Sequence, residues 1–246
     1  MSLRIGESFN LNELMQKADA GDPEAMFDIV CAVDINGLAK DDPQGEIASR
    51  RLSYMRQLSQ IEGYENIYIT LGDTFYYGKG VEPDAQEAIR WYEKAVAAGI
   101  PFGNECIGMM YYAGNGVPVD YEKAFLYFTK NGSDVSFCTL YALGEMYRQG
   151  LFVEKDLEAA RDYYEEIVYS DSKFKKLDDY YWRACYRLGR AYHYGWGTEE
   201  DIDEALALLS NAKRLFDNRS EYAADIAKEE IYNEWNKVNR DAGIHQ

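Results

Sequence analysis

Residues 71–99 read LGDTFYYGKGVEPDAQEAIRWYEKAVAAG. The stretch parses into a helix, a glycine turn and a second helix, and the chain around it repeats that pattern. Leu71-Gly72 returns as Ile107-Gly108, Leu143-Gly144 and Leu188-Gly189. Thirty-six residues separate Gly72 from Gly108 and Gly108 from Gly144, and 45 separate Gly144 from Gly189. Six residues after each of these glycines stands another: Gly78, Gly114, Gly150 and Gly195. Six further on comes an aspartate (Asp84, Asp120, Asp156, Asp201), and four beyond it an alanine (Ala88, Ala124, Ala160, Ala205). Four positions holding register over four copies is self-similarity, and a fixed period of about 20–50 residues marks a solenoid.

Each repeated position has a physical reason. Gly72, Gly108, Gly144 and Gly189 fall inside the first helix, where glycine costs about 1 kcal/mol against alanine. Their presence implies a close approach of two helices. The second glycine falls just past the last turn, where a positive φ is wanted. In GKGV and GNGV a further glycine lets the chain double back. The aspartate is placed to cap the second helix, and Asp84 with Glu87 and Asp201 with Glu204 also fit the capping-box spacing. The alanine is small enough for the two helices of a hairpin to pack. Trp91-Tyr92, Tyr127-Phe128, Tyr163-Tyr164 and Leu208-Leu209 are expected to fill the space against the next unit. Gly103 lies outside the register, and a side chain is expected to cost less there.

The pattern LGxxYxxGxG followed by D, A, WY and KA resembles the Sel-one-like repeat family, relatives of the tetratricopeptide repeats. The period exceeds the roughly 34 residues of the tetratricopeptide unit, as the family's longer turn implies. The resemblance covers about residues 64–216 well and 20–62 weakly. The third copy departs at Phe152, where the second turn glycine is expected, and the fourth at Leu208-Leu209. The resemblance implies an all-α fold, a right-handed superhelix of antiparallel helix pairs. It also implies a binding scaffold or adaptor whose partner the motif does not encode.

Composition narrows the function classes. Of 246 residues, 26 are Lys or Arg and 43 are Asp or Glu, a net charge of −17. That disfavours nucleic acid and anionic membrane surfaces, which require basic patches, and favours solubility and, more weakly, a basic partner. No run approaches the roughly 20 apolar residues that span a bilayer, so no membrane insertion is expected. The start lacks the apolar core of a signal peptide. Cys31, Cys106, Cys138 and Cys185 all fall in first helices, at spacings that suit neither a zinc site nor a disulfide framework. A cytoplasmic chain with reduced thiols is the expectation.

Along the chain, 1–21 reads as an N-terminal cap with a helix over 9–20, and 22–62 as a degenerate repeat with Val30 in place of its glycine. Within it, 34–45 reads as an irregular loop. Four repeats follow at 64–99, 101–132, 136–169 and 178–216, and 220–240 forms a C-terminal capping helix. The insertion at 170–179 accounts for the longer last spacing. A loop that interrupts an array is a place where function is grafted, and a tolerated surface insertion explains it equally well.

No catalytic constellation is present. GKG and GNG follow a helix rather than a strand and lack any phosphate-loop context, so no cofactor is expected. The two histidines, His193 and His245, do not provide a metal cluster. Acidic pairs such as Glu165-Glu166 reflect composition. A non-catalytic chain is expected, with a hydrolase built around His193 and a secreted or host-directed effector as alternatives.

The binding surface is expected at helical offsets that line the concave groove in tetratricopeptide relatives. These lie one, four and five residues after each first-helix glycine, and three before it. The second repeat then offers Asp73, Tyr76 and Tyr77, with Ile69. The third offers Glu105, Met109, Tyr112 and Ala113. The fourth offers Tyr141, Glu145, Arg148 and Gln149, and the fifth Tyr186, Arg190, His193 and Tyr194, with Arg183 nearby. Tyr, Arg and Met are enriched at interface hot spots. Acidic side chains lie toward the early repeats and Arg148, Arg183, Arg190 and His193 toward the late ones. That gradient would orient a basic or amphipathic protein or peptide with its basic end at the early repeats.

Overall fold

Each of the four register copies closes its hairpin with the same backbone bond. The N–H of the aspartate donates to the carbonyl of the aromatic residue three past the helical glycine. Asp84 reaches Phe75 at 2.9 Å, Asp120 reaches Tyr111 at 3.0 Å, Asp156 reaches Tyr147 at 3.0 Å and Asp201 reaches Tyr192 at 2.9 Å. The structure is a computed structural model, and it describes residues 11–36, 46–132, 134–173, 178–217 and 225–243. Among the described residues every regular element is helical. The chain divides into two compact units, residues 1–120 and 121–246.

The first unit holds α1 (Leu11–Asp19), α2 (Pro23–Asn36), α3 (Glu46–Leu58), α4 (Ile67–Tyr77), α5 (Ala85–Ala97) and α6 (Phe102–Ala113). Each packs on the next in sequence, the nearest-neighbour arrangement of stacked repeats. Its core includes Ile29, Met55, Leu58, Ile67, Leu71 and Tyr92. Part of the loop expected over 34–45 is helical, since α2 continues to Asn36; residues 37–45 lie outside the described residues.

The second unit holds α7 (Tyr121–Phe128, continued by a 3-10 turn at Thr129–Asn131), α8 (Phe137–Gln149), α9 (Leu157–Val168), α10 (Asp179–Tyr194), α11 (Ile202–Asp217) and α12 (Asp225–Asp241). Its core runs from Leu140 on α8 through Tyr164, Ile167, Trp182, Leu188 and Leu209. It ends on Ile231 and Val238 of α12, which are 1% and 0% exposed. Of the insertion, residues 174–177 lie outside the described residues, as does His245.

The turn chemistry follows the residues. Gly78, Gly114, Gly150 and Gly195 end α4, α6, α8 and α10 in the left-handed region, φ 66°, 71°, 73° and 65°. The N–H of each bonds back into the last turn of its helix, which satisfies an orphan carbonyl. Asp84, Asp156 and Asp201 each accept from an N–H in the first turn of the following helix, Glu87, Glu158 with Ala159, and Glu204.

Inside the hairpins the glycines are seats for a side chain from the second helix. A Cβ on Gly72 would lie 2.3 Å from the ring of Tyr92, one on Gly144 2.7 Å from the ring of Tyr164, and one on Gly189 2.8 Å from Leu209 Cγ. The second member of these three pairs therefore fills the glycine seat of its own repeat. Gly103 departs from expectation. Its added Cβ would sit 2.5 Å from the carbonyl oxygen of Tyr92 and 2.9 Å from Val96 Cγ2. Here the start of α6 is pressed against the backbone of α5, a contact outside the repeat register.

Candidate functional site

In the first unit, the expected surface residues differ in how far they are committed to packing. Asp73, half-buried, accepts from Tyr92 Oη at 2.7 Å. Tyr76 accepts from Asn115 Nδ2 at 2.6 Å and meets Tyr77 edge-on, ring centroids 4.6 Å apart. Tyr77 is 64% exposed, the most exposed large hydrophobic side chain among the described residues, with Lys79 Nζ 5.3 Å from its ring centre. Met109 and Tyr112 are half-buried, whereas Glu105 is buried.

In the second unit the same offsets are largely engaged inside the protein. Glu145, 5% exposed, takes Arg148 Nη2 at 2.6 Å, Arg187 Nε at 2.7 Å, Gln149 Nε2 at 2.9 Å and Tyr164 Oη at 2.7 Å. Burial pushes its carboxyl up, but the hydrogen bond from Arg148, the charge of Arg187 and the hydroxyl of Tyr164 together hold it below the usual carboxylate range. Tyr141 stacks obliquely between Tyr164 and Tyr180, at 5.8 and 5.6 Å. Burial pushes its hydroxyl up. Arg183 is exposed and lies 4.6 Å over the ring of Trp182.

On α10 the last repeat meets α12. His193 is 6% exposed, with Nδ1 2.8 Å from Glu234 Oε1 and Nε2 2.8 Å from Asp241 Oδ2. Arg190 Nε lies 3.4 Å from Glu234 Oε2, and its guanidinium sits over Tyr186, Tyr194 and Trp196 at 5.7, 5.6 and 4.8 Å. Lys237 Nζ donates to Tyr194 Oη at 2.8 Å. The charge gradient expected from the sequence is therefore largely spent on internal pairs: Arg148 on Glu145, and Arg190 and His193 on Glu234.

Sequence reasoning missed Arg187, Tyr164, Glu234 and Asp241. A signal for Tyr164 was present. Tyr follows the acid by 19 residues in Asp73–Tyr92 and Glu145–Tyr164. Where the tyrosine gives way to Phe128 or Leu209, the acid gives way to Met109 or Arg190. No local signal pointed to α12.

The repeated glycine seats, capped second helices and shared hairpin bond describe one repeat type. A Sel1 repeat model matches residues 71–100, 107–130, 139–167 and 182–215. The chain carries four Sel1 repeats. Its fold is similar to that of a Sel1 repeat protein from Oxalobacter formigenes, with a TM-score of 0.62 and 23% identity over 95% of this chain and 100% of that one. It is also similar to c5321, a protective antigen present in uropathogenic Escherichia coli strains and displaying the same repeat fold. There the TM-score is 0.53 at 21% identity, over 96% of this chain and 58% of the longer protein. Both likenesses concern the fold of the Sel1 repeats. Among the described residues, no helix is long and apolar enough to cross a membrane.

Proposed function

We propose that the chain is a non-catalytic scaffold that binds a protein or peptide through the concave-offset side chains of its Sel1 repeats. Sel1 repeat proteins are generally protein-interaction scaffolds. The observation that carries the proposal to this chain is Tyr77. A large aromatic ring, two-thirds exposed, is fixed on the last turn of α4 by its neighbour Tyr76. Rigid aromatic side chains supply contact area at low entropic cost. Met109 and Tyr112 at the matching positions of the next repeat extend the contact in the first unit, with Asp73 and Glu105 as its acidic members. In the second unit the corresponding offsets are Tyr141, Glu145, Arg148, Arg183, Tyr186, Arg190, His193 and Tyr194; Arg183 is the exposed member, and the others are buried or half-buried among the protein's own side chains.

The hydrolase alternative is not favoured. Both ring nitrogens of His193 face carboxylates at 2.8 Å, which leaves neither for a nucleophile, and general-base work requires such reach.

The test is capture of partners from the source cell on immobilised full-length chain. Tyr77→Ala and Tyr112→Ala should each weaken a specifically captured partner, by about thirtyfold at a hot spot, with circular dichroism unchanged. Lys123→Ala should capture normally. Loss in the control with retention in both tyrosine variants would reject the surface.

A further inference from the structure

In the last repeat, the offsets that serve elsewhere as candidate contact positions are covered by the chain's own α12. Arg190, His193 and Tyr194 stand one, four and five residues after Gly189. Glu234, Lys237 and Asp241 of α12 lie on them, and positions three, four and seven apart share one helix face. The neighbouring apolar stripe, Ile231 and Val238, enters the core of the second unit. Sealing the end of a stack requires that stripe alone. The ionic flank adds a recognition element that a cap does not need.

The fit of that flank is incomplete. Arg190 Nε is buried and, among the described residues, is the one buried side-chain nitrogen or oxygen without a hydrogen-bond partner. Glu234 is shared: Oε1 serves His193 at 2.8 Å, and Oε2 stops 3.4 Å from Arg190. A buried donor left unmade is costly, and a hydrogen bond from a charged guanidinium to a carboxylate is among the stronger kinds. Three aromatic rings hold the guanidinium in place, so the ligand must come to it. A carboxylate better placed than Glu234 would complete the site.

We propose that Arg190 and His193 form a carboxylate-reading docking site for an amphipathic helix, which α12 fills in cis. The partner it fits is an acidic helix whose carboxylates flank an apolar stripe one to two turns apart, and which competes with α12. The proposal rests on the scaffold function above and names the partner class at the last repeat. It reverses, for this end of the chain, the basic ligand suggested by the overall charge of −17.

The probe is a fluorescein-labelled peptide of residues 225–243, compared with the same peptide carrying Gln at the positions of Glu234 and Asp241. The full-length chain is used as wild type and as Glu234→Ala/Asp241→Ala, which loosens its own α12; Asp241→Asn is a milder second opening. Anisotropy should show the acidic peptide binding either opened chain at least about tenfold more tightly than wild type. Adding Arg190→Ala to the opened chain, or using the Gln peptide, should remove about that much. Equal binding to wild type and both opened chains, or indifference to Arg190→Ala, overturns the proposal. The scaffold function is judged separately: if Tyr77→Ala still abolishes partner capture while the peptide fails, only the docking site is lost.

Discussion

Tyr164 Oη donates to Glu145 Oε1 at 2.7 Å while its ring occupies the space that a side chain on Gly144 would fill. Tyr92, Asp73 and Gly72 repeat the arrangement two helix pairs earlier, also at 2.7 Å. One tyrosine thus locks the hairpin twice, by filling the glycine seat and by binding the carboxylate beside it. The surroundings differ, since Glu145 is buried and Asp73 half-buried. Tyr164→Phe keeps the packing but strips a donor from a buried charge, a loss of about 1.5–3 kcal/mol. Tyr92→Phe should cost about 0.5–1.5 kcal/mol, because water can take over at Asp73. Urea denaturation of both variants checks the order, and a reversed order would refute the role assigned to burial.

Glu145 also gives the protein an acid limb. Its carboxyl is held low in the folded chain, against burial, by Arg148, Arg187 and Tyr164. A carboxyl that titrates lower folded than unfolded contributes stability that is complete above the unfolded value, here the ordinary 4.5. That contribution is lost as the pH falls through the folded value. Glu145→Gln should cost about 3 kcal/mol or more at pH 7, the scale for breaking a buried pair from one side. The difference from wild type should then shrink as the pH drops below that range. Denaturation midpoints taken from neutral pH into acid would show a constant difference if Glu145 were not the titrating group.

The repeats were legible because their constraints are local. A glycine past a helix end, an aspartate six residues on and an alanine four beyond are set by backbone turns and caps within one hairpin, and a period makes them visible. The status of the contact offsets was not legible. Helical geometry places Glu145, Arg190 and His193 on the outward offset, but Arg187 on the next first helix and Glu234 with Asp241 on α12 decide whether they remain available. Those partners lie 42, 44 and 48 residues away from Glu145, Arg190 and His193 respectively. Gly103 shows the same limit, since its constraint comes from the backbone of a preceding helix and leaves no periodic mark.

That constraint yields a comparison. A methyl group on Gly144 meets a ring, which can tilt if the Tyr164–Glu145 bond yields. A methyl on Gly103 meets a carbonyl oxygen at 2.5 Å, and only separation of α6 from α5 relieves it. Overpacking of about 1–3 kcal/mol or more exceeds the roughly 1 kcal/mol of helix propensity that alanine brings. Gly103→Ala should therefore destabilise at least as much as Gly144→Ala. A neutral Gly103→Ala would show that the two helices are less closely pressed than described.

Phe152 carries the last test. It stands where Gly80, Gly116 and Gly197 stand in the other repeats, and it keeps their left-handed backbone, φ +68° against 76°, 70° and 67°. It is the one non-glycine residue with positive φ among the described residues, and such a conformation costs a side chain about 1–2 kcal/mol. The ring recovers part of that cost against Phe125, 5.8 Å away, although it remains 52% exposed; an aromatic pair contributes about 0.5–1.5 kcal/mol. Phe152→Ala loses the ring and keeps the strained backbone. Phe152→Gly loses the ring and relieves the strain, so it should lie within about 1 kcal/mol of wild type. At an ordinary position alanine is the more stable of the two by about 0.4–1 kcal/mol. Here the order should invert, with glycine ahead by about 1 kcal/mol in chemical denaturation. If alanine equals or exceeds glycine, the left-handed turn is not what this repeat requires of residue 152.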